Sequence, residues 1–148
     1  MFSQSKKKSP QRVPDMIDEE TFNQIVELDE DDTHDFSYGM VKAYFTQARS
    51  TFDEMEQAFA AKNLLKLSDL GHFLKGSSAA LGITRVQKSC ERMQHYGKKW
   101  DEEAGSALTE EGAMKKIEPL LGKVKGEYGD AEKWLKGWYV DRGVKDED

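Results

Sequence analysis

The sequence predicts an all-α fold: an antiparallel four-helix bundle with a short extra N-terminal helix against one side. Three observations carry this reading. From Ile17 onward the apolar residues recur with a helical period and never in a sustained alternation of two. The chain has only three prolines, two of them Pro10 and Pro14, which leaves the rest free for long helices. Hydrophobic residues make up 37% and charged residues 34%, as suits helices that bury one narrow stripe and solvate the remainder.

The elements follow in order. Ile17, Phe22, Ile25, Val26 and Leu28 mark a short first helix that stops in the acidic run Asp29-Glu30-Asp31-Asp32. Thr33 or Asp35 then suits the cap of a longer helix reaching about residue 61, since either side chain can accept from an orphan backbone N–H. Its core stripe is Val41, Phe45, Ala48, Phe52, Met55 and Phe59, at spacings of four, three, four, three and four. A third helix is predicted over about 63–81 on Leu67, Leu70, Leu74, Ser77 and Leu81, closed by Gly82, where a left-handed backbone costs little. A fourth begins near Ile83 and uses Val86, Cys90, Met93, Gly97 and Trp100, and residues 101–106 read as loop. The fifth uses Met114, Ile117, Leu121, Val124, Tyr128, Ala131, Leu135 and Trp138. Pro119 and the glycines at 122, 126 and 129 predict a kink or interruption near the proline. The tryptophans read as packing at the ends of the bundle.

Composition narrows the function. At 148 residues the chain suits one domain, here 16–148, preceded by a polar basic arm over 1–15 that reads as disordered. The 7 Phe, 5 Tyr and 3 Trp are too many for disorder throughout. Net charge is -6, and the first 16 residues contribute +3 through Lys6, Lys7, Lys8 and Arg12 against Asp15, which leaves the body at -9. An acidic body disfavours phosphate backbones, so nucleic acid is not an expected partner. The lysine run suits a nuclear address, a loose electrostatic contact or simply a solvated tail. A single cysteine, Cys90, excludes an internal disulfide, fits a reducing compartment and lies on a core stripe, where it should be inert. No apolar run approaches the roughly 20 residues of a membrane helix, and none follows the basic N-terminus as in a secretory signal. The protein is therefore expected to be soluble and intracellular. His34, His72 and His95 have no metal-ligand spacing, and the acidic run lacks the glycine and terminal glutamate of a calcium loop.

His72 stands apart. On a helical wheel it falls about 170° from the stripe centred on Leu67, Leu74 and Leu81, among Leu65, Ser68, Lys75, Gly76 and Ala79. Each mid-helix glycine costs roughly 1 kcal/mol relative to alanine, and Gly71 and Gly76 flank this histidine. Side chains lean toward the helix N-terminus, so a side chain at 76 would shade the imidazole. Lys75 places an ammonium group beside the same space. An exposed imidazole with a cleared approach and a neighbouring cation suits a nucleophile that carries an anionic group.

The segment Leu70-Gly71-His72-Phe73-Leu74-Lys75-Gly76-Ser77-Ser78-Ala79-Ala80-Leu81-Gly82 resembles the active helix of histidine-containing phosphotransfer (HPt) domains, most closely the fungal phosphorelay intermediates. Cys90-Glu91-Arg92-Met93-Gln94 resembles the companion run on the next helix. The resemblance spans roughly residues 20–140, is dense at 70–98 and weak in the last helix. It implies that His72 is phosphorylated, that Lys75 balances phosphoryl charge, that Gly76 gives steric access and that Gln94 hydrogen-bonds the imidazole. Lys98 stands where fungal members carry arginine; it keeps the cation and removes the bidentate fork. Ile25, Leu28, Phe36, Met40 and Phe73 are implied as a docking patch, with Gln24, Asp29, Asp31 and Asp32 as a polar rim.

The implied activity is transfer of a phosphoryl group from a receiver-domain phospho-aspartate to His72 and onward to an aspartate of a response regulator. The implied partners are receiver domains of a hybrid sensor kinase and of response regulators. The setting the resemblance implies is osmotic-stress signalling in cytoplasm and nucleus, with the protein expected to be a monomer. No nucleotide-binding loop is recognisable, so no autokinase activity is expected and the chain is a phosphocarrier rather than an enzyme. No cofactor of its own is expected; the receiver would supply Mg²⁺. The alternatives are an adaptor that docks but transfers nothing and a structural helical bundle. His72 argues against the first and the costly glycines against the second.

Overall fold

The computed structural model describes residues 16–145, so the basic arm expected over 1–15 lies outside the described residues. Among the described residues the named elements are, in order, α1 Glu19–Val26, α2 Asp35–Ala60, α3 Leu64–Leu81, α4 Thr84–Gly97, β1 Trp100–Asp101, β2 Ser106–Ala107 and α5 Glu110–Val140. Three helices start on side chains suited to it. Asp18 accepts from the Thr21 N–H, Asn63 from the Lys66 N–H and Thr109 from the Gly112 N–H. Gly82 closes α3 at φ 79°, as expected.

The four long helices form the antiparallel bundle: α2 packs on α3, α3 on α4, α4 on α5, and α5 returns to α2. Val41, Phe45, Ala48 and Met55 from α2 meet Leu67 and Leu74 from α3, Val86, Cys90 and Met93 from α4, and Ile117, Val124 and Leu135 from α5 in one core. The short α1 lies at one end. Its Phe22 stands edge-on to Trp134, Trp138 and Tyr139 of α5, while Asp18 N–H donates to the Gly82 carbonyl at 2.7 Å.

Several elements differ from the sequence reading. The helix is not interrupted at Pro119, the second of the two outcomes expected there, and α5 runs through it. The proline deprives the Lys115 carbonyl of a donor, but Lys115 is exposed, where solvent can take the donor's place, while Ile117, Leu120 and Leu121 hold both flanks in the core. The expected loop at 101–106 is in the main the turn, 102–105, of a small hairpin that pairs Trp100 with Ala107 and Asp101 with Ser106. Trp100 therefore leaves α4 and is 40% exposed, whereas Trp134 and Trp138 pack at the bundle end as expected. Phe59 is only half-buried, and in place of Ser77 it is Ser78 that is buried at that turn of α3. Neither Thr33 nor Asp35 caps α2; the capping position is His34, at φ 58° and with no side-chain cap bond of its own.

Candidate functional site

Close packing of α3 on α4 builds the site. A Cβ added at Gly71 would meet the Cys90 carbonyl oxygen at 2.8 Å and the Gln94 nitrogen at 3.0 Å. One at Gly97 would meet the Leu64 oxygen at 2.6 Å and the Ser68 nitrogen at 2.7 Å. Neither position tolerates a side chain, because backbone lies in the way. Ser68, placed on the solvent face by the wheel, is instead buried, and its hydroxyl donates to the Gln94 carbonyl at 2.9 Å. The α4 backbone at Gln94 is thus pinned against the turn of α3 that carries His72.

His72 itself is exposed, as expected. A Cβ at Gly76 would meet nothing within 4 Å, so position 76 stands open and adds no bulk to the face that bears His72. The two glycines therefore differ in kind: Gly71 is required by helix packing, and only Gly76 leaves an approach free. Lys75 is half-buried beside it and Lys98 is exposed just beyond the end of α4. The hydrogen bond expected from Gln94 to the imidazole is not made: Gln94 Oε1 is buried and has no partner. A buried acceptor left unsatisfied costs about 1–3 kcal/mol, so a ring N–H turned toward it would be favoured.

Leu28 is 60% exposed, Phe36 and Phe73 50% each and Met40 37%, which leaves four large apolar side chains of the expected patch in water. Ile25 is the exception. It is buried, because the inner face of α1 turns it into the core with Phe22. An apolar groove of about 230 Å³ lies between α2 and the C-terminal part of α3, the helix that bears His72, lined by Met40, Ala43, Tyr44, Gln47, Ser77, Ala80 and Leu81. A second hollow of about 430 Å³ lies among Leu28, Glu30, Asp31, Thr33, Asp35 and Phe36, so the apolar patch has an acidic margin.

Asp29 does not belong to that margin. Its side chain is 3% exposed and accepts from the Ser37 N–H at 2.7 Å, the Ser37 hydroxyl at 2.6 Å and His34 Nδ1 at 2.9 Å. The Tyr139 hydroxyl donates to Ser37 Oγ at 2.8 Å, and the His34 ring stands edge-on to Trp138 and Tyr139. Burial alone would raise the Asp29 carboxyl, but the bonds from Ser37 and then His34 outweigh it and hold the group below its ordinary 3.8. The segment between Leu28 and Phe36 is thereby tied to the start of α2 and the end of α5. No periodicity in the sequence marks this cluster, since its members lie 5, 8 and more than 100 residues apart.

Elsewhere, burial and then the nearby Glu127 push the Cys90 thiol up to about 12, in keeping with an inert core cysteine. The buried Tyr44 hydroxyl pairs with Ser78 Oγ at 2.8 Å. Among the described residues no three His, Cys, Asp or Glu side chains converge as a metal site requires, and no helix is long and apolar enough to cross a membrane.

Comparison with known proteins places this geometry among relatives. Residues 39–127 match the model of the Hpt domain. The chain is 45% identical over 125 residues to multistep phosphorelay regulator 1 of Schizosaccharomyces pombe, covering 84% of this chain and 42% of that one. It is 49% identical over 80 residues to the phosphorelay intermediate protein YPD1 of Saccharomyces cerevisiae, covering 53% and 47%. The chain thus spans less than half the length of these curated relatives. Among solved structures, that of Saccharomyces cerevisiae Ypd1 crystallised with the receiver domain of its downstream response regulator Ssk1 aligns with a TM-score of 0.75 at 32% identity, over 84% of this chain and 95% of the other.

Proposed function

The chain belongs to the Hpt domain family, and on that premise we propose that it is a phosphorelay intermediate whose His72 accepts a phosphoryl group from a receiver-domain phospho-aspartate and passes it to an aspartate of a response regulator. The observation that carries this is the exposure of His72 on a face of α3 to which Gly76, one turn on and itself exposed, adds no side chain. In the transfer, the lone pair of one ring nitrogen forms the N–P bond as the acyl-phosphate P–O bond breaks and the receiver carboxylate departs. Gln94 Oε1, unpartnered and buried, would take up the N–H of the other ring nitrogen as the imidazole turns, and so fix the tautomer that attacks. Lys75 faces the developing phosphoryl charge from the next turn, and Lys98 offers a second cation from the end of α4.

The docking surface in this reading is the patch of Leu28, Phe36, Met40 and Phe73 with the groove between α2 and α3, and the acidic hollow steers a basic receiver face. Ile25 acts from beneath, by supporting α1. Support for receiver domains as partners comes from the relative crystallised with one; the upstream donor is taken to be the receiver of a hybrid sensor kinase. The chain draws Mg²⁺ from the receiver, uses no ATP of its own, and works as a monomer in cytoplasm and nucleus. The test is incubation with a phosphorylated receiver domain. Wild type should gain acid-labile phosphate, and His72→Gln should keep its helical circular dichroism and gain none. Equal loading of the variant would remove the assignment.

A further inference from the structure

We propose that Asp69 sets the phosphoryl-transfer equilibrium by opposing negative charge on His72, so that the site passes the group on rather than storing it. The inference rests on the reading of His72 as the phosphorylated residue. Asp69 lies three positions before His72, on the same exposed face of α3, and enters no ion pair among the described residues. Residues so spaced have Cβ atoms roughly 5–6 Å apart. Helical side chains lean toward the N-terminus, so the imidazole leans over the turn that carries Ser68 and Asp69, while a side chain at 76 would lean back toward the imidazole. Ser68 is buried against Gln94 and turned inward, so the charge presented to the ring from this turn is the Asp69 carboxylate.

The cations assigned to the site are Lys75 on the following turn and Lys98 at the end of α4. Asp69 offsets part of their charge toward a group that arrives as a dianion. Transfer converts a neutral imidazole and an acyl phosphate into a phosphoimidazolium and a free receiver carboxylate, and the dianionic phosphoryl group moves from the receiver to within reach of Asp69. With the imidazolium cation set against the phosphoryl dianion, the site gains one net negative charge, so the carboxylate raises the free energy of the phosphorylated form and leaves that of the unphosphorylated form largely untouched. This is the distribution a relay station needs, since a site with surplus positive charge would hold the phosphoryl group against the second transfer.

The experiment loads the full chain with phosphoramidate, a small P–N donor that needs no partner, and separately with a phosphorylated receiver domain. Phosphate on the chain is read by ³¹P NMR. Asp69→Asn should shift the receiver–histidine equilibrium toward phosphohistidine by about two- to tenfold at low salt and lengthen the phosphohistidine lifetime in the same sense. The difference should shrink toward unity in 1 M salt, where screening acts over about 3 Å. Asp130→Asn, an equal loss of charge on the exposed face of α5 diagonally across the bundle, controls for net charge and should shift the equilibrium little. Equal equilibria for wild type and Asp69→Asn at low salt, or an equal shift from Asp130→Asn, would overturn the role of Asp69 while leaving the phosphorylation of His72 intact. Failure of wild type to load at His72 from either donor would overturn both.

Discussion

Gly71 and Gly76 lie little more than one turn apart on the same helix, yet side chains at the two positions should have opposite effects. At Gly71 a methyl group would be forced onto the Cys90 carbonyl and the Gln94 nitrogen, both backbone atoms that cannot give way without parting α3 from α4. Gly71→Ala should therefore destabilise the protein by about 1–3 kcal/mol, in spite of the better helix propensity of alanine. At Gly76 the same change meets nothing and should stabilise by roughly 0.5–1 kcal/mol, while the larger Gly76→Gln should leave folding intact and slow phosphate acceptance by the shading of the ring. Urea denaturation checks the first two outcomes, and the initial rate of loading from a phosphorylated receiver checks the third. Loading of Gly76→Gln at the wild-type rate would remove the steric account. The wheel found His72 and the open approach because both depend on one helix alone. It misplaced Ser68 and the purpose of Gly71 because both depend on where α4 crosses α3, and a single helix does not encode that crossing.

The elements that the sequence makes legible are those with a long apolar stripe and a chemical stop. Asn63 and Gly82 bound α3 as read, and the stripe through Val41, Phe45, Ala48, Phe52 and Met55 places α2. Two-residue strands have no period to detect, so the hairpin after α4 was invisible, and Pro119 promised a break that tertiary packing on either side prevents. The start of α2 was misread for a related reason: its satisfaction comes from Asp29, outside the helix, whose carboxylate takes up the Ser37 N–H and hydroxyl. This arrangement has a pH dependence of fixed sign. The carboxyl of Asp29 is held below its ordinary 3.8 in the folded protein, so its contribution is fully present above that value and is lost as pH falls through the lower folded one. Asp29→Asn should cost about 1–3 kcal/mol at pH 7, where a charge-assisted acceptor is replaced, and the gap to wild type should narrow as pH drops below about 4. Urea midpoints at pH 7 and across the acid range measure it. A gap that stays constant to pH 3 would show that the Asp29 charge does not hold the α1–α2 connection.

Across the molecule as a whole, the bundle separates carrying from docking. The phosphoryl group would be held by residues of α3 and the end of α4, namely His72, Lys75, Gln94 and Lys98, whereas the exposed apolar patch draws on the α1–α2 connection and α2 through Leu28, Phe36 and Met40, with Phe73 as the one large contribution from α3. Phe36 stands half in water on a segment anchored by Asp29 and Ser37, so removal of its ring takes away contact area for a partner without opening a cavity in the core. Lys75 has the converse place, beside His72, where a cation and a dianion at partly solvated separation are worth on the order of 1 kcal/mol. Phe36→Ala should therefore weaken receiver binding by about tenfold and leave the decay of isolated phosphohistidine unchanged. Lys75→Ala should shorten that lifetime several-fold and leave binding of the unphosphorylated chain nearly unchanged. The two measurements, a receiver titration and a decay of protein loaded with phosphoramidate, are made on both variants and on the double variant. Because the altered side chains serve different steps, the effects should add in each assay, as expected of sites without a shared partner. A Phe36→Ala change that alters the decay, or a Lys75→Ala change that abolishes binding, would mean that the docking face and the phosphoryl site are one coupled surface, and the division drawn from the elements that bear them would fail.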